Sequence, residues 1–202
     1  MNRTHRFAAF QRFIVNELAH QLSPKLTYHG VHHTKDVLAV CKQYARRLHI
    51  SSYEAELLKT GALVHDLGFL HTYRNHEEKG TGMIQEILPK YEFNAEEIAI
   101  ISGLVIATKV PQQPKTLLEQ IVCDADLDYL GRSDFEPISE SLFQELKNFN
   151  FLHNRIAWDK VQVKFLEGHQ YHTDYAKKYR QPNKALRLEE IKKRLEMNNY
   201  GE

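Results

Sequence analysis

The sequence predicts an all-α fold, and three features carry that expectation. Apolar residues recur at three- and four-residue spacings from end to end, helix-start signatures precede several of the stripes, and no alternating strand pattern or hairpin turn competes. The first stripe is Phe7, Phe10, Ile14, Leu18 and Leu22, and it ends before Ser23-Pro24, where a proline ring cannot continue a helix. A second stripe follows Thr34, with Val37, Leu38, Cys41, Tyr44, Ala45 and Leu48. Ser51 and Glu54 have capping-box spacing and open a third helix, which carries Ala55, Leu58, Ala62 and Leu63 down to His65-Asp66 before Gly68 breaks it. A fourth helix spans about Asn75 to Leu88 and is stopped by Pro89. Asn94 with Glu97 repeats the cap spacing ahead of Ile98, Ile101, Leu104 and Val105.

Pro111 and Pro114 mark a loop, and an apolar helix is expected from about Thr116 to Leu130, with Gly131 suited to its end. Ser133 with Glu136 has the spacing of the next cap. Further helical stretches centre on Trp158 to Leu166 and on Leu186 to Leu195, separated by a polar, Lys-rich segment. The expectation is a helical bundle of eight or nine helices in one domain over residues 1–202, without internal repeats.

Bulk composition narrows the function classes. A net charge of +1 gives no reason to expect a nucleic-acid polymer or an anionic membrane as partner. Cys41 and Cys123 are the two cysteines and are far apart, so neither a disulfide framework nor a thiolate zinc site is expected. The start, MNRTHRF, has no apolar signal region, and the run Ile98 to Ala107 is much shorter than the ~18 residues of a membrane span. A cytoplasmic location is the expectation; oligomeric state is not legible.

Chemistry concentrates in three separated stretches. His65-Asp66 offers an imidazole nitrogen and a carboxylate oxygen from adjacent backbone positions, which is half of a site for a divalent cation of intermediate hardness. Upstream, Tyr28-His29-Gly30-Val31-His32-His33-Thr34 gathers three histidines at a helix start. Downstream, Asp124, Asp126 and Asp128 interrupt an apolar helix, and buried carboxylates are costly unless a cation or proton compensates them. Successive positions two apart on a helix lie about 200° from one another, so these three cannot share one face. With Ile121, Val122, Ala125 and Leu130 as the core stripe, Asp126 neighbours Val122 and Leu130 and is the expected inward residue, leaving Asp124 as a support or local cap.

The ordered series YHGVHHT, HDLG and DADLDYLG resembles the histidine–aspartate (HD) superfamily of all-α, metal-dependent phosphohydrolases over about Tyr28 to Gly131. The resemblance implies His33, His65, Asp66 and Asp126 as ligands of one divalent ion (Mn, Mg, Fe, Co, Ni or Zn). Here His33 is preferred to His29 and His32 because the family ligand immediately precedes the helix with the Val37/Leu38 stripe. His29, His32 and Asp124 are then expected to support the ligands or wall the substrate. Members that hydrolyse guanosine tetraphosphate carry two acidic residues shortly after the HD pair, where this chain has Leu67-Gly68-Phe69-Leu70, so that activity is disfavoured. Relatives with a second metal have extra histidines; His76 matches the first, but the later position reads Ala107-Thr108-Lys109, so a single ion is expected.

The implied reaction is attack of metal-bound water on the phosphorus of a nucleotide or other small phosphorylated metabolite. Asp66 is expected to orient the water, His76 to protonate the leaving oxygen, and Lys109 and Arg132 to bind the phosphate. The alternatives are a cyclic-nucleotide phosphodiesterase and a non-catalytic nucleotide- or metal-binding sensor.

Overall fold

A helix whose later turns are almost wholly buried has to be wrapped by others, and in the segment from Ser52 to Val64 every residue from Glu56 onward except Lys59 is buried. Leu57, Leu58, Ala62, Leu63 and Val64 are all buried on it. In the computed structural model, which describes residues 3–197 and side chains from His5 onward, this is α3 (Ser52–Val64). It packs against α1 (Arg3–Gln21), α2 (Val31–Arg47) and α5 (Ala95–Ala107), while α6 (Leu117–Asp126) lies on α2 and α5. Short 3-10 turns at Leu67–Leu70 and Leu88–Tyr91 flank α4 (His76–Ile87). These elements, the described part of Met1–Pro24 together with His29–Asp126, form one compact unit.

The second unit combines Lys25–Tyr28 with the described part of Leu127–Glu202. It holds a 3-10 turn at Asp128–Gly131, α7 (Phe135–Asn148), α8 (Arg155–Gly168), α9 (Asp174–Tyr179) and α10 (Gln181–Glu196). Within it, Trp158 stacks on Phe143, with ring centroids 5.9 Å apart. Tyr28 packs on Tyr129 at 5.7 Å, and its backbone N–H donates to Glu145 at 2.8 Å. Buried Asp159 accepts from Arg194 at 2.6 and 2.9 Å, tying α8 to α10.

In the first unit the N-terminal helix is pinned by Arg6. Its guanidinium donates to Glu56 on α3 at 2.7 and 2.9 Å, to Glu97 on α5 at 3.0 Å, and to the Glu92 carbonyl at 2.9 Å. Both carboxylates are buried, and the fork geometry of arginine satisfies them together.

The fold is all-α, with no strand among the described residues. Both capping boxes form: Ser51 Oγ accepts from Glu54 N, and Asn94 Oδ1 accepts from Glu97 N. Pro89 stops α4 as expected, at the N-terminus of a 3-10 turn. Three expectations are corrected. Helix α2 begins at Val31 rather than after Thr34, because Gly30, in extended conformation, serves as its N-cap. The helix expected to reach Leu130 ends at Asp126 and re-forms as a tighter turn. The Ser133/Glu136 cap is absent; Asp134 is the N-cap of α7 and makes no side-chain capping bond. The Lys-rich segment contains the short helix α9, capped by Thr173, whose hydroxyl accepts from Ala176 N; among the described residues there are ten helices, nine of seven residues or more, in line with the eight or nine expected. No described helix is long and apolar enough to cross a membrane.

Candidate metal centre

Each of the three stretches ends at one point of the first unit. Starting α2 at Val31 puts His33 in the first turn, buried, while His32 on the same turn faces outward and is exposed. The end of α3 delivers His65 and Asp66, with His65 1% exposed. The last residue of α6 is Asp126. His33 Nε2 and His65 Nε2 stand 3.3 Å apart. Asp126 Oδ1 is 3.1 Å from the former and 3.5 Å from the latter; Asp66 Oδ2 is 3.5 Å and 3.2 Å from them.

These distances suit a cation. Metal–ligand bonds of about 2.1 Å place neighbouring donors about 3.0 Å apart at right angles and about 3.4 Å apart at the tetrahedral angle. The distances from each histidine to its partner donors here, 3.1 to 3.5 Å, lie within that interval or 0.1 Å above it. The tautomer fits too: His65 Nδ1 lies 2.9 Å from the Ala62 carbonyl, so it carries the proton and leaves the Nε2 lone pair aimed inward. Oδ2 of Asp66 is buried and accepts no hydrogen bond, which a cation would remedy. His33, His65 and Asp66 are the group whose donor atoms all lie within 4.8 Å of one another; Asp126 faces the two histidines but stands outside that group.

Without an ion the four groups lean on protons. Burial opposes charge on His65, yet Asp66 and Asp126 outweigh it and hold the imidazole pKa well above its ordinary value. Burial likewise pushes the Asp66 and Asp126 carboxyls up, but the facing histidines hold both well below the usual carboxylate range.

Beside these donors lies an aromatic wall. Phe69, three residues past the HD pair, stacks on His76 at 3.9 Å and on His29 at 4.2 Å, and meets Tyr73 edge-on at 5.2 Å. His29 in turn meets His33 edge-on at 5.9 Å. His76 opens α4 and places Nε2 3.5 Å from Asp66 Oδ1 and from Glu77 Oε1, with Nδ1 3.4 Å from the Tyr73 carbonyl. Burial works against its charge, but Asp66 prevails and raises its pKa. Asp66 therefore divides its oxygens, Oδ2 toward the two ligand histidines and Oδ1 toward His76.

Sequence reasoning passed over Phe69, Tyr73 and buried Glu77. The one available signal was position, an acid directly after His76 and aromatics within eight residues of the HD pair. The expectation that Asp126 is the inward residue of α6 is corrected: Asp124 is wholly buried and Asp126 only partly so, although it is Asp126 whose Oδ1 faces His33 and His65. Asp128 has left the helix altogether and lies in the second unit. Lys109, just past α5, pairs with Glu78 in the first turn of α4. Arg132 bonds both oxygens of Asp134, at 2.9 and 2.7 Å, and stands 3.7 Å from Asp128, so its charge is already engaged.

The family model described as HD domain matches residues 30–128. The matched stretch opens at the N-cap of α2 and closes two residues past Asp126, and so encloses all four converging side chains. No curated protein and no solved structure matches the chain. Through residues 30–128 the chain belongs to the HD-domain family, most of whose members are metal-dependent phosphohydrolases.

Proposed function

We propose that the protein is a metal-dependent phosphohydrolase that cleaves a nucleotide or other small phosphorylated metabolite. The observation that carries this reading is the convergence of His33 Nε2, His65 Nε2, Asp66 Oδ2 and Asp126 Oδ1, with neighbouring donors 3.1 to 3.5 Å apart. A divalent cation held there supplies Lewis acidity toward a phosphoryl oxygen and a lowered pKa for water. The side chains do the rest. His33, His65 and Asp126 anchor the site from three helices or helix ends, which keeps the reacting geometry fixed. Asp66 anchors through Oδ2 and holds His76 through Oδ1, so one carboxylate sets both the anchor and the acid.

His76, whose pKa is raised against its burial by Asp66, is the group that returns a proton to the leaving oxygen. Lys109 is the cation proposed for the incoming phosphate, released from its exposed pairing with Glu78 at small cost. Arg132 would first have to leave Asp134. The aromatic wall, His29 stacked on Phe69 with Tyr73 edge-on to both, favours a substrate with a planar base over a bare sugar phosphate.

The test is a metal-supplemented screen of nucleotides and sugar phosphates with wild type and Asp66→Ala, with elemental analysis of the same preparations. Turnover and bound metal in wild type, both lost in Asp66→Ala, support the proposal; equal rates in the two proteins overturn it. A second reading, a phosphodiesterase using two ions, is favoured by the divided Asp66 carboxylate and by Glu77 beside His76. Two equivalents of metal per chain and preference for diesters would select it.

A further inference from the structure

Asp126 is the final residue of a ten-residue helix, and helix ends fray because their last carbonyls lack intrahelical partners. A ligand at that position needs something to stop the last turn unwinding. The five residues that follow are held tightly by the segment from Tyr171 to Asn183, all within the second unit. Tyr171 OH donates to the Leu127 carbonyl at 3.1 Å, and Arg180 Nε donates to Asp128 Oδ1 at 2.8 Å. Asn183 Nδ2 donates to the Gly131 carbonyl at 3.0 Å. Gly131 also lies so close to the backbone of Arg180 that a Cβ there would come within 2.4 Å of its carbonyl oxygen.

We infer that Tyr171 and Arg180 are positioning residues for Asp126, fixing the turn that follows α6 so that the last helical turn cannot fray. The inference rests on Asp126 being a metal ligand, as proposed above. Asp128 gives the mechanism. Its side chain is 1% exposed, so loss of Arg180 leaves a buried carboxylate short of its main countercharge. That carboxylate regains water if the turn opens, and in the chain only Leu127 separates the turn from Asp126. Tyr171 braces the intervening residue from the other side.

The experiment compares full-length wild type with Tyr171→Phe, Arg180→Gln and Arg180→Lys, using Mn2+ alone as probe. Arg194→Gln is the control, since it removes a similar buried ion pair, with Asp159, elsewhere in the same unit. Mn2+ affinity by titration calorimetry is expected to fall about 10-fold in Tyr171→Phe and Arg180→Gln, at the low end for outer partners of a metal site, with part recovered in Arg180→Lys. Amide exchange at residues 123–126 should quicken in the same two variants. Arg194→Gln should leave both readouts in place even where it lowers the melting temperature. Wild-type affinity and exchange in Arg180→Gln and Tyr171→Phe overturn the inference, as does equal loss in Arg194→Gln. A wild type that takes up no Mn2+ overturns the metal reading on which the inference stands.

Discussion

Gly68 sits where the HD turn and the start of α4 touch, and replacing it with alanine tests how much the site depends on that contact. A Cβ at this position would lie 1.9 Å from the backbone oxygen of His76 and 2.6 Å from its carbonyl carbon. Real Cβ contacts stay beyond 3.0 Å, so the two segments must part by about an ångström. Neither partner is a flexible side chain, since the oxygen, the carbonyl carbon and the Cα of His76 are all backbone. Overpacking of this kind costs about 1–3 kcal/mol, which for a chain of this size lowers the melting temperature by about 2–12 °C. The same movement carries His76 away from Asp66 Oδ1, now 3.5 Å distant, while His33, His65 and Asp126 are untouched. Gly68→Ala should therefore keep its metal but lose about 100-fold in kcat on a phosphate ester, the penalty of an ångström's misplacement. Calorimetry and metal-supplemented turnover, run on one preparation, make the comparison. A variant with wild-type melting temperature and rate would refute the reasoning.

Other consequences are equally direct. Arg6→Ala strands Glu56 and Glu97 in the interior and should cost about 3–5 kcal/mol in a denaturant titration of the first unit's unfolding. Lys109→Ala should raise KM for phosphate esters and leave the melting temperature in place, because its pairing with Glu78 is solvent-exposed. In the metal-free protein, the raised pKa of His65 contributes stability that is complete below the ordinary imidazole value of about 6.5 and disappears as pH rises through the folded value. Thermal melts of chelated protein across that range should show a decline attributable to His65, absent from His65→Gln. A cation needs the unprotonated ring, so the apparent Mn2+ affinity should grow with pH and binding should release protons, measurable by titration in buffers of different ionisation enthalpy.

Much of this was legible because local rules and global packing agree. The two capping boxes could be read from residue spacing, and each forms with the hydrogen bonds its spacing implies. The candidate donors were legible for another reason: the ordered series YHGVHHT, HDLG and DADLDYLG resembles the HD pattern, which implies His33, His65, Asp66 and Asp126, and carboxylates in an apolar helix need something to compensate them. What stayed hidden depends on contacts distant in sequence. Thr173 caps a helix inside a Lys-rich stretch whose apolar face is short, so periodicity had nothing to detect. The break after Asp126 has no proline or glycine to mark it, and is associated with bonds to Leu127 and Asp128 from residues more than forty positions away. The stacking of Phe69 on two histidines follows from the 3-10 turn at Leu67–Leu70, which rotates the ring where a continued α-helix would not.

The charge balance of the site shows why proton and metal are interchangeable occupants of one design. Asp66 and Asp126 bring two negative charges into a space with little water, and His33 and His65 bring none while neutral. A dication held there would cancel both carboxylates and replace the solvation each lost on burial. Protons can substitute on a carboxylate or an imidazole; with both carboxyls held low, the favoured place is His65, whose pKa rises against the cost of its own burial. A dication meets no such opposition, because it leaves both rings neutral and uses the Nε2 lone pair that the Ala62 carbonyl has already oriented. A rise in pH takes the proton from His65 and leaves the carboxylates and the inward lone pair in place, so the conditions that most destabilise the metal-free site are those in which it binds a cation best.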